Sequence, residues 1–522
     1  MKTVFVVGAG PAGLFAAQKI AQAGHQVIVL NRDIKPGGLA EYGIYPVKDK
    51  MKVGLRKQFA QVLSYPNLSY FGHVPVGTES AVTIDDLRQF NPSAMVFSVG
   101  AQGTKSLGLP GENATGVYSA KDFVYFYNQL PPFASRDFST GKRVAVIGMG
   151  NVAVDILRWL LQDAPNLKTE EVVIIARRGP FEAKFDEKEF AHVQMHLDRQ
   201  LFQKELERVK DKIATVGQDV SKVSEATFPA LVKYPNQELV MPRLTFRFLS
   251  SPKEIHAGPD GRICRLTVTE NNLVAKDGGT AAKATDQTAD LDVDTMIFAI
   301  GDVHDPKLGL PCGRDGYTTK PNPADPKAPV FQVFDPQKSA ELPGVYVVGW
   351  ARRASDGLVG IARHDGEVGA EQVLHYLESV PDGAPISTEA LQRRLEAKGL
   401  KVVNKEDIAL LGKVEEREAK QRGLVGIARH DAEVGATHVL EYVQGKPEKG
   451  TATVETIENT LRTRGVVAVN KAELALLAKA EEKEAQARNL TYFKYSDDTS
   501  MLRAITREKS AASAPALAGA GD

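Results

Sequence analysis

The chain has 522 residues, 43% of them hydrophobic and 25% charged, with 45 Gly and 28 Pro. That is too long for one hydrophobic core and too apolar for a disordered or fibrous chain, so a globular enzyme of two or more domains is expected. Lys plus Arg and Asp plus Glu balance at 65 each, which argues against a protein that coats nucleic acid, and two cysteines, Cys264 and Cys312, cannot supply a CxxC dithiol, a disulfide framework, a cysteine-ligated zinc or an all-cysteine iron–sulfur cluster.

Residues 2–7 are β-rich, break at Gly8-Ala9-Gly10-Pro11-Ala12-Gly13, continue as a helical stretch over 14–23 and return as a strand, Gln26–Leu30. In such a β-loop-α-β unit glycines let the backbone approach a pyrophosphate, and the helix N-terminus offers oriented N–H donors. The apolar run 4–7 is too short for a signal-peptide core and enters the glycine loop directly, so the start reads as mature and the expected location is cytoplasmic. No apolar stretch approaches the ~18 residues of a membrane span. Where such units carry an acid for the ribose hydroxyls stands Asn31, whose amide can also bond a hydroxyl.

A second copy of the pattern begins at Arg143–Ile147, turns at Gly148-Met149-Gly150-Asn151-Val152-Ala153, runs as a helix through Leu161 and returns as a strand over 172–176. That strand ends in Arg177-Arg178, a pair able to clamp a 2′-phosphate, which favours NADPH over NADH. Runs ending in glycine recur at 94–100, 295–301 and 345–349, where parallel strands would open on a ligand crevice. Between them, residues 204–251 mix a charged helix with a β-like run, and the Gly-, Ala-, Thr- and Asp-rich stretch 275–292 reads as a hairpin loop without chemistry. Trp350 closes the run 345–350, placing an indole where a flavin or nicotinamide could pack.

The C-terminal third holds a direct duplication: residues 358–377 match 424–443, 66 residues on, at 15 of 20 positions. It extends to Asn404-Lys405 and Asn470-Lys471, each opening a charged helix with an Asn cap and an acid three residues on. His364-Asp365 and His430-Asp431 belong to the copies and read as structural rather than catalytic. Two copies make no solenoid, and the small-residue tail 510–522 is expected to be disordered.

Two dinucleotide units without a dithiol imply hydride transfer between a nicotinamide and a flavin, followed by exit to oxygen, a quinone, a small organic acceptor or an iron–sulfur protein. The order of motifs sharpens this. GGLAEYGIYP at 37–46, FGHVPVG at 71–77, VFSVGAQ at 96–102, the long run 107–131, GMGNVAVDILRWL at 148–160, ARRGPFEAKFDEKEF at 176–190 and VYVVGWARRASDGLVG at 345–360 closely resemble the adrenodoxin reductase type of ferredoxin–NADP⁺ reductase, a flavoprotein of the glutathione-reductase-like fold. The likeness covers roughly residues 1–378 and returns over 490–505.

The resemblance implies an α/β chain of two Rossmann-like domains: FAD bound by 1–106 with 321–380, NADP(H) by an inserted 107–320, and a mainly helical extension over 381–509. FAD would lie on Gly8, Gly10, Ala12, Gly13, the Asn31 position, Gly38, Leu39, Val76, Gly100, Gly349, Trp350 and the backbone of Gly357, Leu358 and Val359, with Trp350 and Gly357 nearest the reacting ring. NADPH would lie on Gly148, Met149, Gly150, Asn151 and Val152, with Arg177 and Arg178 on the 2′-phosphate and Glu189 nearby. No metal is implied. The sequence departs from the family pattern in Asn31, where the family has Glu, in the turn Arg353-Ala354-Ser355-Asp356-Gly357, and in the extra 66-residue copy, which could cover the flavin, form a homodimer surface or be a neutral duplication.

The expected activity is hydride transfer from NADPH to FAD N5, then single-electron transfer to a ferredoxin-like iron–sulfur protein, or the reverse. Arg243, Arg247, Arg352 and Arg353 are candidate contacts for such an acidic partner. Two alternatives are an electron-input subunit of a larger flavoenzyme, for which the cysteine-rich iron–sulfur segments are missing, and a non-enzymatic flavin-binding scaffold with a partner-recruiting tail.

Overall fold

The computed structural model describes residues 1–409 except 131–132, 165–167, 314–315, 321–324, 326–327 and 355–358, together with 479, 480 and 483. The chain divides into two units, 1–162 with 168–409, and 163–167 with 410–522. Nearly all of the second, including the 424–489 copy apart from those three residues and the whole 510–522 tail, lies outside the described residues.

The first unit runs through β1 (Thr3–Val7), α1 (Pro11–Gln22), β2 (Gln26–Leu30), α2 (Asp49–Leu63), β3 (Leu68–Gly72) and β4 (Ala94–Phe97). The chain continues through β5 (Gly103–Thr104), β6 (Val117–Ser119), α3 (Ala120–Tyr127), β7 (Arg143–Ile147), α4 (Asn151–Arg158), β8 (Glu171–Ile175), α5 (Glu187–Ala191), α6 (Arg199–Ala214) and β9 (Arg243–Arg247). After these come β10 (Ser250–Ala257), β11 (Ile263–Lys276), β12 (Gly279–Leu291), β13 (Thr295–Phe298) and β14 (Asp302–Val303). The last elements are β15 (Gln332–Asp335), β16 (Ala340–Val347), α7 (Val359–Ser379), α8 (Thr388–Ala397) and β17 (Val403–Asn404).

A seven-stranded sheet has the order β15-β16-β4-β1-β2-β3-β17, and a five-stranded sheet the order β6-β13-β7-β8-β9. In both, the strand preceding a glycine loop lies between two parallel neighbours, β1 between β4 and β2, and β7 between β13 and β8. Chain direction across the sheet reverses at these strands, so a crevice opens at their carboxyl ends.

The apolar runs follow from burial on both faces. Val4 and Val6 of β1 join a core with Leu14, Ile20 and Val373, while Phe5 and Val7 face another with Leu391 and Leu395. The second core also takes in residues expected to belong to the C-terminal extension. α8 packs beneath the first sheet and β17 pairs antiparallel with β3, so residues 388–404 are part of the core of the first sheet.

The hairpin-loop reading of 275–292 also changes. β11 and β12 form a long antiparallel ladder, and the turn is confined to Asp277-Gly278, both at positive φ. Asp-Gly favours that two-residue turn, and cross-strand pairing with β11 holds the Ala- and Thr-rich segment extended despite its modest strand propensity.

Candidate functional site

Both glycine loops solve the same steric problem. Gly8 has φ +104°, and a Cβ there would stand 2.6 Å from the carbonyl oxygen of Ser98, just past β4. Gly148 has φ +120°, and its Cβ would stand 2.3 Å from the carbonyl oxygen of Ala299, just past β13. Only glycine accepts that backbone and that approach. The loops then open out: a Cβ on Gly10 or Gly150 would meet nothing within 4 Å.

α1 and α4 start at these open positions with no side-chain cap and no acid in the first turn. Elsewhere Asp186 caps α5, Asp198 caps α6 and Ser387 caps α8. The N–H donors at both crevices are thus left for an anion, and the fit to a dinucleotide pyrophosphate is good twice over.

The first crevice is closed by close packing. Gly13 lets α1 approach, since its Cβ would lie 2.2 Å from both the Gly8 carbonyl and Ser98 Oγ. Gly37 donates its N–H to the Ala9 carbonyl at 2.7 Å, and Gly38, at φ +51°, lies against Gly10. Gly349, at φ +65°, and Gly366 of α7 both abut Ala12, at 2.5 Å from its Cβ and 2.2 Å from its carbonyl oxygen for a built Cβ.

Asp365 accepts the Gly349 N–H at 2.6 Å and pairs with Arg352, whereas His364 is exposed. Trp350 follows in a half-buried position, its carbonyl accepting from His304 Nε2 at 2.9 Å. Burial pulls the His304 pKa down, the hydrogen bonds to Trp350 and Ala351 resisting. Leu39, Val76, Gly100 and Val359 are all half-buried, while Gly357 and Leu358 lie outside the described residues.

Asn31 is held by groups of the chain itself. It is buried, its Oδ1 accepts the Ala9 N–H at 3.0 Å, and its Nδ2 donates to the Asp33 and Lys35 carbonyls at 2.9 Å and to Tyr70 Oη at 3.1 Å. The amide therefore ties the glycine loop to the turn after β2. A glutamate has no donor for those carbonyls, which is a physical reason for asparagine here.

At the second crevice Asn151 Oδ1 accepts the Asp186 N–H at 2.6 Å, and the Met149 carbonyl accepts from Lys184 N–H at 2.8 Å. Val152 is 48% exposed on the first turn of α4. Arg177 is exposed and Arg178 half-buried at the end of β8. Glu189 is engaged by Lys48, whose Nζ is 2.6 Å from Oε1 and 4.0 Å from Asp155 Oδ1. This Lys48–Glu189–Asp155 cluster, joining the loop before α2 to α4 and α5, escaped the sequence reading because its members are far apart in the chain. Burial, with Glu189 adding to it against Lys48 and Arg158, pushes Asp155 up to about 6.

Glu41, which follows Gly38, is a second buried acid. Burial would raise its pKa, but hydrogen bonds and charge from Arg56, helped by Lys35 and Lys52, hold it below the usual range. Of the arginines expected to meet a partner, Arg243 pairs with Glu171 at 2.8 Å, Arg247 with Glu270 at 2.9 Å, and Arg352 with Asp365. Cys264 and Cys312 are both free and exposed. Among the described residues no helix is long and apolar enough to cross a membrane, and no group of His, Cys, Asp and Glu is placed to hold a metal.

Residues 2–227 match the family described as pyridine nucleotide-disulphide oxidoreductase. The chain is 30% identical over 430 residues to the NADPH-ferredoxin reductase FprA of Mycobacterium leprae, an alignment covering 75% of this chain and 88% of that one. It is 28% identical over 464 residues to the mitochondrial NADPH:adrenodoxin oxidoreductase of Salvelinus fontinalis, covering 80% and 87%. Its fold matches Mycobacterium tuberculosis FprA in complex with NADPH at a TM-score of 0.69 and 26% identity, over 84% of this chain and 99% of that one.

Proposed function

Since the chain belongs to the NADPH–ferredoxin and adrenodoxin reductase family, we propose that it is an FAD-dependent NADPH:ferredoxin oxidoreductase, taking a hydride from NADPH and delivering electrons singly to an iron–sulfur protein. The observation that carries the reading is the repeated crevice. Two uncapped helix N-termini face open glycine positions, and only the second is followed by an arginine pair.

In this assignment Gly10, Gly38 and the first turn of α1 hold the FAD pyrophosphate. Asn31 keeps their loop in shape, and Trp350 with Val359 borders the reacting end. Gly150, Asn151 and Val152 receive the NADPH pyrophosphate, and Arg177 and Arg178 hold its 2′-phosphate. Bound FAD supplies the change from two-electron to one-electron chemistry. The protein's share is positioning, and with Cys264 and Cys312 both free and exposed no dithiol is offered as a relay.

The test is anaerobic mixing of the FAD-loaded protein with NADPH or NADH, followed by ferredoxin. NADPH should bleach the flavin band at about 450 nm and ferredoxin should restore it; a protein that holds FAD but is never reduced by NADPH would be the scaffold instead. Replacing both Arg177 and Arg178 by Ala should cost NADPH roughly 10- to 100-fold in kcat/KM and leave NADH nearly unchanged. Equal losses with both nicotinamides would remove the 2′-phosphate role.

A further inference from the structure

The hairpin β11–β12 carries none of the residues assigned to either nucleotide, yet it grips the arginine pair. Three consecutive carbonyls at the end of β8 are each held, the outer two from the β9–β10 junction and the middle one from the hairpin. Ser250 N–H donates to Ala176 at 2.9 Å, Leu249 N–H donates to Arg178 at 3.1 Å, and between them Asn271 Nδ2 donates to Arg177 at 2.9 Å. The outer two clamps are backbone to backbone and survive any side-chain change. The middle one is a side chain, so it can be removed alone.

Asn271 is built into its place. It is 1% exposed, its own N–H donates to the Leu249 carbonyl at 2.7 Å, and Nδ2 also donates to Ser251 Oγ at 2.8 Å. A register shift in the β11–β12 ladder falls between Thr269 and Asn271. Its neighbour Glu270 is anchored by Lys212 at 2.8 Å, Arg247 at 2.9 Å and Arg208 at 3.3 Å, which fixes this part of the strand against α6 and β9. Farther along the hairpin, Thr280 Oγ1 donates to Glu182 Oε1 at 2.8 Å, and its carbonyl lies 3.5 Å from Arg178 Nη1, at the edge of hydrogen-bond range.

Resting on the reading that Arg177 and Arg178 hold the 2′-phosphate, we propose that Asn271 is a positioning residue for nicotinamide selectivity, fixing the Arg177 carbonyl so that both guanidiniums leave the strand end toward the phosphate. Without that donor the peptide between the two arginines keeps its neighbours but loses its own restraint, and both side chains swing with it. Bidentate phosphate contacts tolerate little misplacement.

The experiment uses the full FAD-loaded chain with Asn271→Ala and Asn271→Asp, the second nearly isosteric but without the N–H donor. In anaerobic stopped flow the NADPH dissociation constant should rise about tenfold in each, with the limiting rate of flavin reduction and the NADH constants within about twofold of the parent. Affinity for 2′,5′-ADP, which carries the phosphate without a nicotinamide, should fall by the same factor.

The double Arg177→Ala, Arg178→Ala variant separates the two levels of the claim. If that variant loses both nicotinamides equally, the phosphate reading fails. If it is NADPH-selective while both Asn271 variants keep the parent's NADPH to NADH ratio, only the positioning role fails. Equal loss of NADPH and NADH in the Asn271 variants, or loss of flavin from both, would assign the residue to folding and overturn the proposal as well.

Discussion

Asp155 lies on α4 near Lys48 and is the described carboxyl held furthest above its usual range, at about 6 against an ordinary 3.8. Burial is the main cause, and Lys48 at 4.0 Å offsets it only in part. An acid that binds its proton more tightly when folded adds stability in full below its unfolded value, and that stability drains away as pH rises through the folded one. The unfolding free energy of the parent minus that of Asp155→Asn should therefore fall by roughly 2 kcal/mol between pH 4 and 7. Denaturant melts at three pH values would measure it, and a pH-independent difference would show that the Asp155 pKa does not change on folding. At this scale the sequence was legible where a residue answers a local demand. Gly8 and Gly148 sit where the chain must take positive φ, and the two arginines end a strand. It was silent on the pairing of Lys48 with Glu189, which are 141 residues apart and meet only in the folded chain. Nor does the sequence show that the Asn31 amide ties the glycine loop to the turn after β2, because such a tie has no one-letter signature.

Among the elements, the contact of α7 with α1 shapes the first crevice. Gly366 meets Ala12 so closely that a Cβ would fall 2.2 Å from its carbonyl oxygen, a backbone atom that cannot turn aside. Gly360, six residues earlier on the same helix, has nothing within 4 Å. Gly366→Ala should push α7 off α1 at a cost of about 1–3 kcal/mol and weaken FAD binding by at least tenfold, whereas Gly360→Ala should leave the thermal midpoint unchanged or raise it slightly. Flavin fluorescence titration of the refolded apoprotein reads the first effect and a thermal melt the second. If Gly366→Ala binds FAD as the parent does, the packing of α7 does not shape the cradle. Elements with a regular apolar pattern, β1 through β2 and β7 through β8, stand out in the sequence because burial on both faces leaves no other composition. β12 and β17 do not. The first is Ala- and Thr-rich and is held by its ladder with β11, and the second is two residues long and exists by pairing with β3.

For the whole molecule the open question is why 66 residues are repeated, and the α1 contact bears on it. The second copy matches the first at the buried Gly369, as Gly435, but carries Ala432 where the first has Gly366. It also has Val443 in place of Leu377, which is fully buried, and Thr437 in place of Glu371, which pairs with Lys19. Only the first copy is therefore matched to α1. Deleting 424–489 should leave FAD content and NADPH-driven bleaching intact. Deleting 358–423 places the second copy directly after Gly357, where Ala432 would meet the Ala12 backbone, so this chain should purify with little flavin. Adding Ala432→Gly to that deletion should recover most of the binding, short of the roughly 1 kcal/mol that one missing buried methylene costs. FAD content per chain after identical purification compares all three. Full flavin in the 358–423 deletion with Ala432 in place would mean that the two copies are interchangeable on α1 and that the glycine is incidental.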